Sequence, residues 1–80
     1  MNELNLTDTG RTIHYNYVTN VYDYKGHEFV FTFKYIGDSN MKVYFNGLET
    51  IVDLDNYNDV KEYELYDRIA YDFIKEYIIM

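Results

Sequence analysis

The sequence predicts an α+β fold: a four-stranded antiparallel β-meander packed on one face by a C-terminal α-helix. Three observations predict it. Apolar and polar residues alternate through the first half of the chain, glycine-containing turn signals punctuate that alternation, and past Asp53 the period lengthens to that of a helix. Eighty residues leave room for one core, so residues 1–80 read as a single domain.

Residues 12–23 read as the first strand. Ile13, Tyr15, Tyr17, Thr19 and Val21 alternate there with His14, Asn16, Val18, Asn20 and Tyr22, the period of a half-buried strand. A short edge segment at Leu4–Leu6 is expected ahead of it. Residues 28–35 follow, with Phe29, Phe31, Phe33 and Tyr35 on one face. Two connections compete between these strands. A three-residue loop, Tyr24-Lys25-Gly26, sets Asp23 opposite His27, Val21 opposite Phe29 and Tyr17 opposite Phe33. A two-residue loop, Lys25-Gly26, faces Asp23 with Glu28 and Asn20 with Phe31. Charge and burial both favour the first.

Gly37-Asp38-Ser39-Asn40 turns the chain into residues 41–45. Tyr35 must pair with Met41 for Met41, Val43 and Phe45 to share the phenylalanine face. Asn46-Gly47 is a type I′ hairpin signal leading into residues 48–52. A helix is expected over 59–78, with Tyr66, Ile69, Ala70, Phe73 and Tyr77 on one stripe flanked by Tyr63 and Ile74. Asp59 followed by Glu62 resembles a capping box, and first-turn acids suit the helix dipole. On this reading Tyr15, Tyr17, Tyr35, Tyr66 and Tyr77 belong to the core, while Tyr22, Tyr44, Tyr57 and Tyr71 are at least partly exposed. The outer sheet face carries Val18, Val30, Ile36, Tyr44 and Ile51, apolar enough for a homodimer or a partner contact.

Composition narrows the function. The chain has no cysteine, which excludes disulfides and thiolate zinc sites. Its histidines are His14 and His27 and its one serine is Ser39, and no glycine-rich phosphate loop is present. No apolar run approaches the roughly 18 residues that span a membrane. The polar, acidic start MNELNLTDTGR is unlike a secretory signal. We therefore expect a cytoplasmic protein that is not an enzyme and holds no cofactor or metal. The segment from Asp53 to Glu64 sets acids at positions 1, 3, 7 and 12 of a calcium loop, but position 5 is Tyr57 and position 6 is Asn58. A carboxylate or amide and a glycine are required there, so it reads as an acidic connection.

Charge carries the functional expectation. Between Glu49 and Glu76 nine acidic residues face three basic ones, which accounts for −6 of the chain's −7. Like charges repel in a compact state, so this concentration points to a positively charged protein partner. The candidate partner-binding residues are Asp53, Asp55, Tyr57, Asp59, Glu62, Glu64, Asp67, Tyr71 and Asp72. Carboxylates there would take the places of phosphates, since arginine prefers planar bidentate acceptors, and tyrosine supplies contact area at low entropy cost. Direct nucleic-acid binding is excluded by the lack of a basic footprint.

Small size, negative charge, absence of cysteine, and abundant tyrosine and asparagine in segments such as YDYKGHEFVFTFKY and DLDNYNDVKEYELYDR give the chain a family character. It resembles phage-encoded inhibitors of host defence, anti-CRISPR proteins against the RNA-guided DNA nuclease of type II systems above all. The resemblance spans the whole chain in character and transfers no residue roles. It implies occlusion of a guide- or target-binding channel, or locking of a nuclease domain, in the cytoplasm of a bacterial host. Two other classes fit the same composition. One is a different acidic inhibitor, of uracil-DNA glycosylase or of restriction enzymes; the other is a homo-oligomeric assembly module.

Overall fold

Five strands rather than four form the sheet, because an additional strand begins ahead of the expected first one, whose span takes in the end of that strand, a loop and the following strand. In the computed structural model, which describes residues 6–79, β1 (Thr7–Ile13) and β2 (Val18–Tyr24) pair as a hairpin. They are followed by β3 (His27–Tyr35), β4 (Asn40–Phe45) and β5 (Leu48–Asp53), in the order β1-β2-β3-β4-β5, every pair antiparallel. The helix α1 (Leu65–Ile79) covers one face. The architecture is the expected α+β layering with one more strand. Residues 7–11 carry no apolar alternation, and all of β1, Ile13 included, is exposed, so the pattern gives no sign of this strand's first five residues. Of the expected Leu4–Leu6 segment, residues 4 and 5 lie outside the described residues, and Leu6 packs partly against the core.

Residues 14–17 of the alternating run form a loop. Ile13 pairs with Val18, and the His14 amide donates to the Tyr17 carbonyl at 2.8 Å, closing a four-residue connection. His14 stacks on Tyr17 with ring centroids 4.2 Å apart. Tyr15 projects fully into solvent and Tyr17 is also exposed, so neither is a core residue.

The β2–β3 register is the two-residue alternative. Val18 pairs with Phe33, Asn20 with Phe31, Tyr22 with Phe29 and Asp23 with Glu28. Lys25 and Gly26 both have positive φ, 52° and 84°, the signature of a type I′ turn. This one-residue slip turns every β2 side chain over. Val18, Asn20 and Tyr22 point under the helix, while Thr19, Val21 and Asp23 point away. Val18 thus leaves the expected outer face, and Tyr22, expected outside, is 2% exposed. Of the two objections to this register, Asp23 facing Glu28 persists, while β1 removes the other, a buried Asn20. Arg11 Nε donates to Asn20 Oδ1, and Asn20 Nδ2 donates to Asp8 Oδ1 at 2.8 Å. A buried amide with both ends satisfied costs little.

Beyond β3 the expected pairing holds. Tyr35 pairs with Met41, Asn46 and Gly47 take positive φ in the β4–β5 turn, and Met41 and Val43 are buried. Phe31 is the centre of the core. It stacks on Phe45 at 4.3 Å and meets Tyr22 and Phe73 edge-on, geometries that add to area burial. Helix α1 contributes Ile69, Ala70 and Ile74 as buried residues, with Leu65, Tyr66 and Phe73 packed beside them. The buried stripe is therefore centred closer to Ile74 than expected. Tyr77 and Tyr35 are about half exposed; of the five tyrosines assigned to the core Tyr66 is partly buried against it, and Tyr77 meets Phe29 and Phe45 edge-on at its rim.

Candidate functional site

Past Asp53 the chain leaves the sheet through two short 3-10 turns rather than entering a helix at Asp59. Asp53 Oδ1 accepts the Asp55 amide at 3.0 Å and starts the first turn, Leu54–Tyr57. The Leu54 amide donates to the Ser39 carbonyl at 2.8 Å, and Leu54 and Tyr57 pack against the core. Asn58, Asp59 and Val60 then form a bend, with the Val60 amide on the Tyr57 carbonyl at 3.0 Å. The second turn is Glu62–Glu64, and its preceding residue, Lys61, supplies no side-chain cap. Asp59 therefore caps nothing, and α1 begins six residues later than the capping-box reading places it. Anchoring Leu54 and Tyr57 beneath this connection outweighs the helix propensity of its acidic second half.

The nine expected partner-binding residues separate into two groups. Asp53, Asp67, Asp72, Tyr57 and Tyr71 are occupied inside the molecule. Asp67 Oδ1 accepts from Arg11 Nη2 at 2.8 Å and from the Tyr22 hydroxyl at 2.6 Å. Asp72 accepts from the Tyr57 hydroxyl at 2.8 Å and lies 3.9 Å from Arg68 Nε. Burial and then the Asp72 carboxylate push the Tyr57 phenol up to about 12. Tyr71 is half-buried, with the Lys75 ammonium 5.9 Å from its ring centroid. Asp55, Asp59, Glu62 and Glu64 are exposed, and among the described residues they form no ion pair. They share the β5–α1 connection with Tyr63, which the helical stripe places at the edge of the core but which is 68% exposed.

An open groove of about 590 Å3 runs beside this connection, lined by Asp59, Val60, Glu64, Asp67, Arg68, Tyr71, Asp72 and Lys75. Arg68 and Lys75 only partly offset its four acids, and two of these, Asp59 and Glu64, belong to the exposed set on the connection, so that wall of the groove shares the connection's negative excess.

Reasoning from sequence missed the polar cluster that holds the helix to the first hairpin. Arg11 bridges Asn20 on β2 and Asp67 on α1, and its guanidinium carbon lies 5.3 Å from the Tyr66 ring centroid. The Tyr22 phenol is raised well above its ordinary range, first by burial and then by the Asp67 carboxylate. Arg11, an isolated cation in a polar stretch, was the available signal. Its partners lie nine and 56 residues away, beyond any local pattern.

Among the described residues no three His, Asp or Glu side chains come together as metal ligands would, and no helix is long and apolar enough to cross a membrane. Comparisons with protein-family models, with curated proteins and with solved structures find no match for this chain.

Proposed function

We propose that this protein is a non-enzymatic inhibitor that binds a basic, nucleic-acid-binding surface of a host defence nuclease, a type II RNA-guided DNA nuclease being the target class. The observation that carries the reading is the set of exposed carboxylates on Asp55, Asp59, Glu62 and Glu64. They stand on a connection anchored by Leu54 and Tyr57, so little order remains to be gained on binding. An arginine-lined channel would take up those carboxylates as bidentate acceptors. Long-range attraction would speed the encounter, and Tyr63 would add desolvated area once docked. Asp53, Asp67 and Asp72 have the separate task of holding the fold.

The test is equilibrium binding to a purified type II nuclease, before and after guide loading, with DNA cleavage as the activity readout. Replacing Asp55 and Asp59 by Asn and Glu62 and Glu64 by Gln should weaken binding by about 10- to 100-fold, or roughly 1.4–2.8 kcal/mol. Native affinity should also fall as salt rises. Undiminished binding by a variant with a native circular dichroism spectrum would remove the reading.

A further inference from the structure

We infer that the uncovered face of the sheet is a self-complementary surface that pairs two copies of this chain face to face, with their β3 strands antiparallel. The helix covers only the face that carries Asn20, Tyr22, Phe31, Phe33, Met41 and Val43. Side chains alternate along each strand, so Val21, Asp23, Glu28, Val30, Thr32, Lys34, Lys42, Tyr44 and Ile51 share the other face. Val30, Tyr44 and Ile51 are uncovered there, with Val30 56% and Ile51 54% exposed, and Val21 is half-buried beside them.

Charge on this face is sorted by end. Asp23 is directly opposite Glu28 at one end, and Lys34 is directly opposite Lys42 at the other. Like charges directly opposite across a ladder destabilise a sheet, and here there are two such pairs of contrary sign. Lys42 is answered in part by Glu49 at 3.1 Å on β5. Among the described residues Asp23, Glu28 and Lys34 form no ion pair. The nearby Lys25 does not neutralise the acidic end, because its ammonium lies over the Tyr24 ring, on the helix side of the sheet. Glu28 and Lys34 are six positions apart on one strand, roughly 20 Å, with Val30 and Thr32 between them.

A two-fold axis in the plane of the interface, perpendicular to β3, brings the Lys34–Lys42 end of each copy over the Asp23–Glu28 end of the other. Both like-charge pairs then gain their counter-charges, and Val30, Tyr44 and Ile51 leave water. An axis parallel to β3 would stack acid on acid and lysine on lysine, so charge selects the first arrangement. Such an isologous contact closes on itself, in the aligned sheet-on-sheet packing of a sandwich. It does not involve the β5–α1 connection, so it stands or falls separately from the proposed function.

Charge exchange tests it. Sedimentation equilibrium over a wide concentration range should give a reversible dimer for the native chain. Lys34→Glu and Glu28→Lys should each weaken self-association by about tenfold or more. Each also removes a like-charge pair within the monomer, so at concentrations low enough to keep the native chain monomeric its thermal midpoint should be no lower than native. Mixing the two variants should restore the dimer, because each supplies the charge that the other has lost. A native chain that stays monomeric throughout would overturn the inference and leave the face to another protein. Variants that self-associate as the native chain does, or a mixture that does not recover, would overturn it as well.

Discussion

Arg11 and Asn20 show how much one polar residue decides here. Asn20 sits in the core row and is satisfied because Asp8 and Arg11 reach it from the edge strand. Arg11 continues to Asp67, which also takes the Tyr22 hydroxyl, so β1, β2 and α1 are joined by one set of bonds. Tyr22 leaves a titration signature of this joint. Its phenol ionises far above the ordinary 10.0 because burial and Asp67 both oppose the phenolate. Below pH 10 the tyrosine is protonated in both the folded and unfolded states, and its contribution to stability is complete. Above pH 10 the unfolded chain releases the proton and the folded chain keeps it, so stability falls by about 1.4 kcal/mol per pH unit for this residue. Urea unfolding at pH 9, 10 and 11 should therefore show a steeper decline for the native chain than for Tyr22→Phe. Parallel declines would mean that Tyr22 is not held as described.

Among the elements, the β2–β3 hairpin is the informative case. Taken alone, it favours the three-residue loop, which avoids a lysine at positive φ and keeps Asp23 away from Glu28. The two-residue turn prevails because it places Val18 and Tyr22 beneath the helix and sends Asn20 to partners on β1. Local cost is accepted for tertiary gain. Gly26 carries a φ of +84° with no atom within 4 Å of where a Cβ would stand. Gly26→Ala should thus cost about 1–2 kcal/mol through the backbone alone, read as a lower urea midpoint with an unchanged slope. Lys25→Asn, at the other positive-φ position, should shift the midpoint the opposite way, because asparagine tolerates that conformation better. If both substitutions were neutral, the turn would not be holding the register.

Over the whole molecule, an excess of seven negative charges acts against the compact state. Its stability and its proposed partner binding should therefore respond to salt in opposite directions. Raising sodium chloride from about 20 to 300 mM shortens the screening length severalfold. The thermal midpoint of the isolated protein should rise while affinity for a basic partner falls. A midpoint that fell with salt would mean that the few internal ion pairs, Arg11–Asp67 and Lys42–Glu49 among them, outweigh the general repulsion.

The sequence by itself determined the α+β layering, the inward face of β3 and β4, the Asn46-Gly47 turn and the acidic bias of the last third. These follow from short-range periodicity, turn chemistry and composition, which act within a few residues. Tertiary structure alone decided the face of β2, the existence of β1 as a strand, the late start of α1 and which acids remain available to a partner. Each of these depends on bonds between residues far apart in the chain. Asn20 with Arg11, Tyr22 with Asp67 and Tyr57 with Asp72 form only once the layers have packed, and their combined gain overrides the local preference.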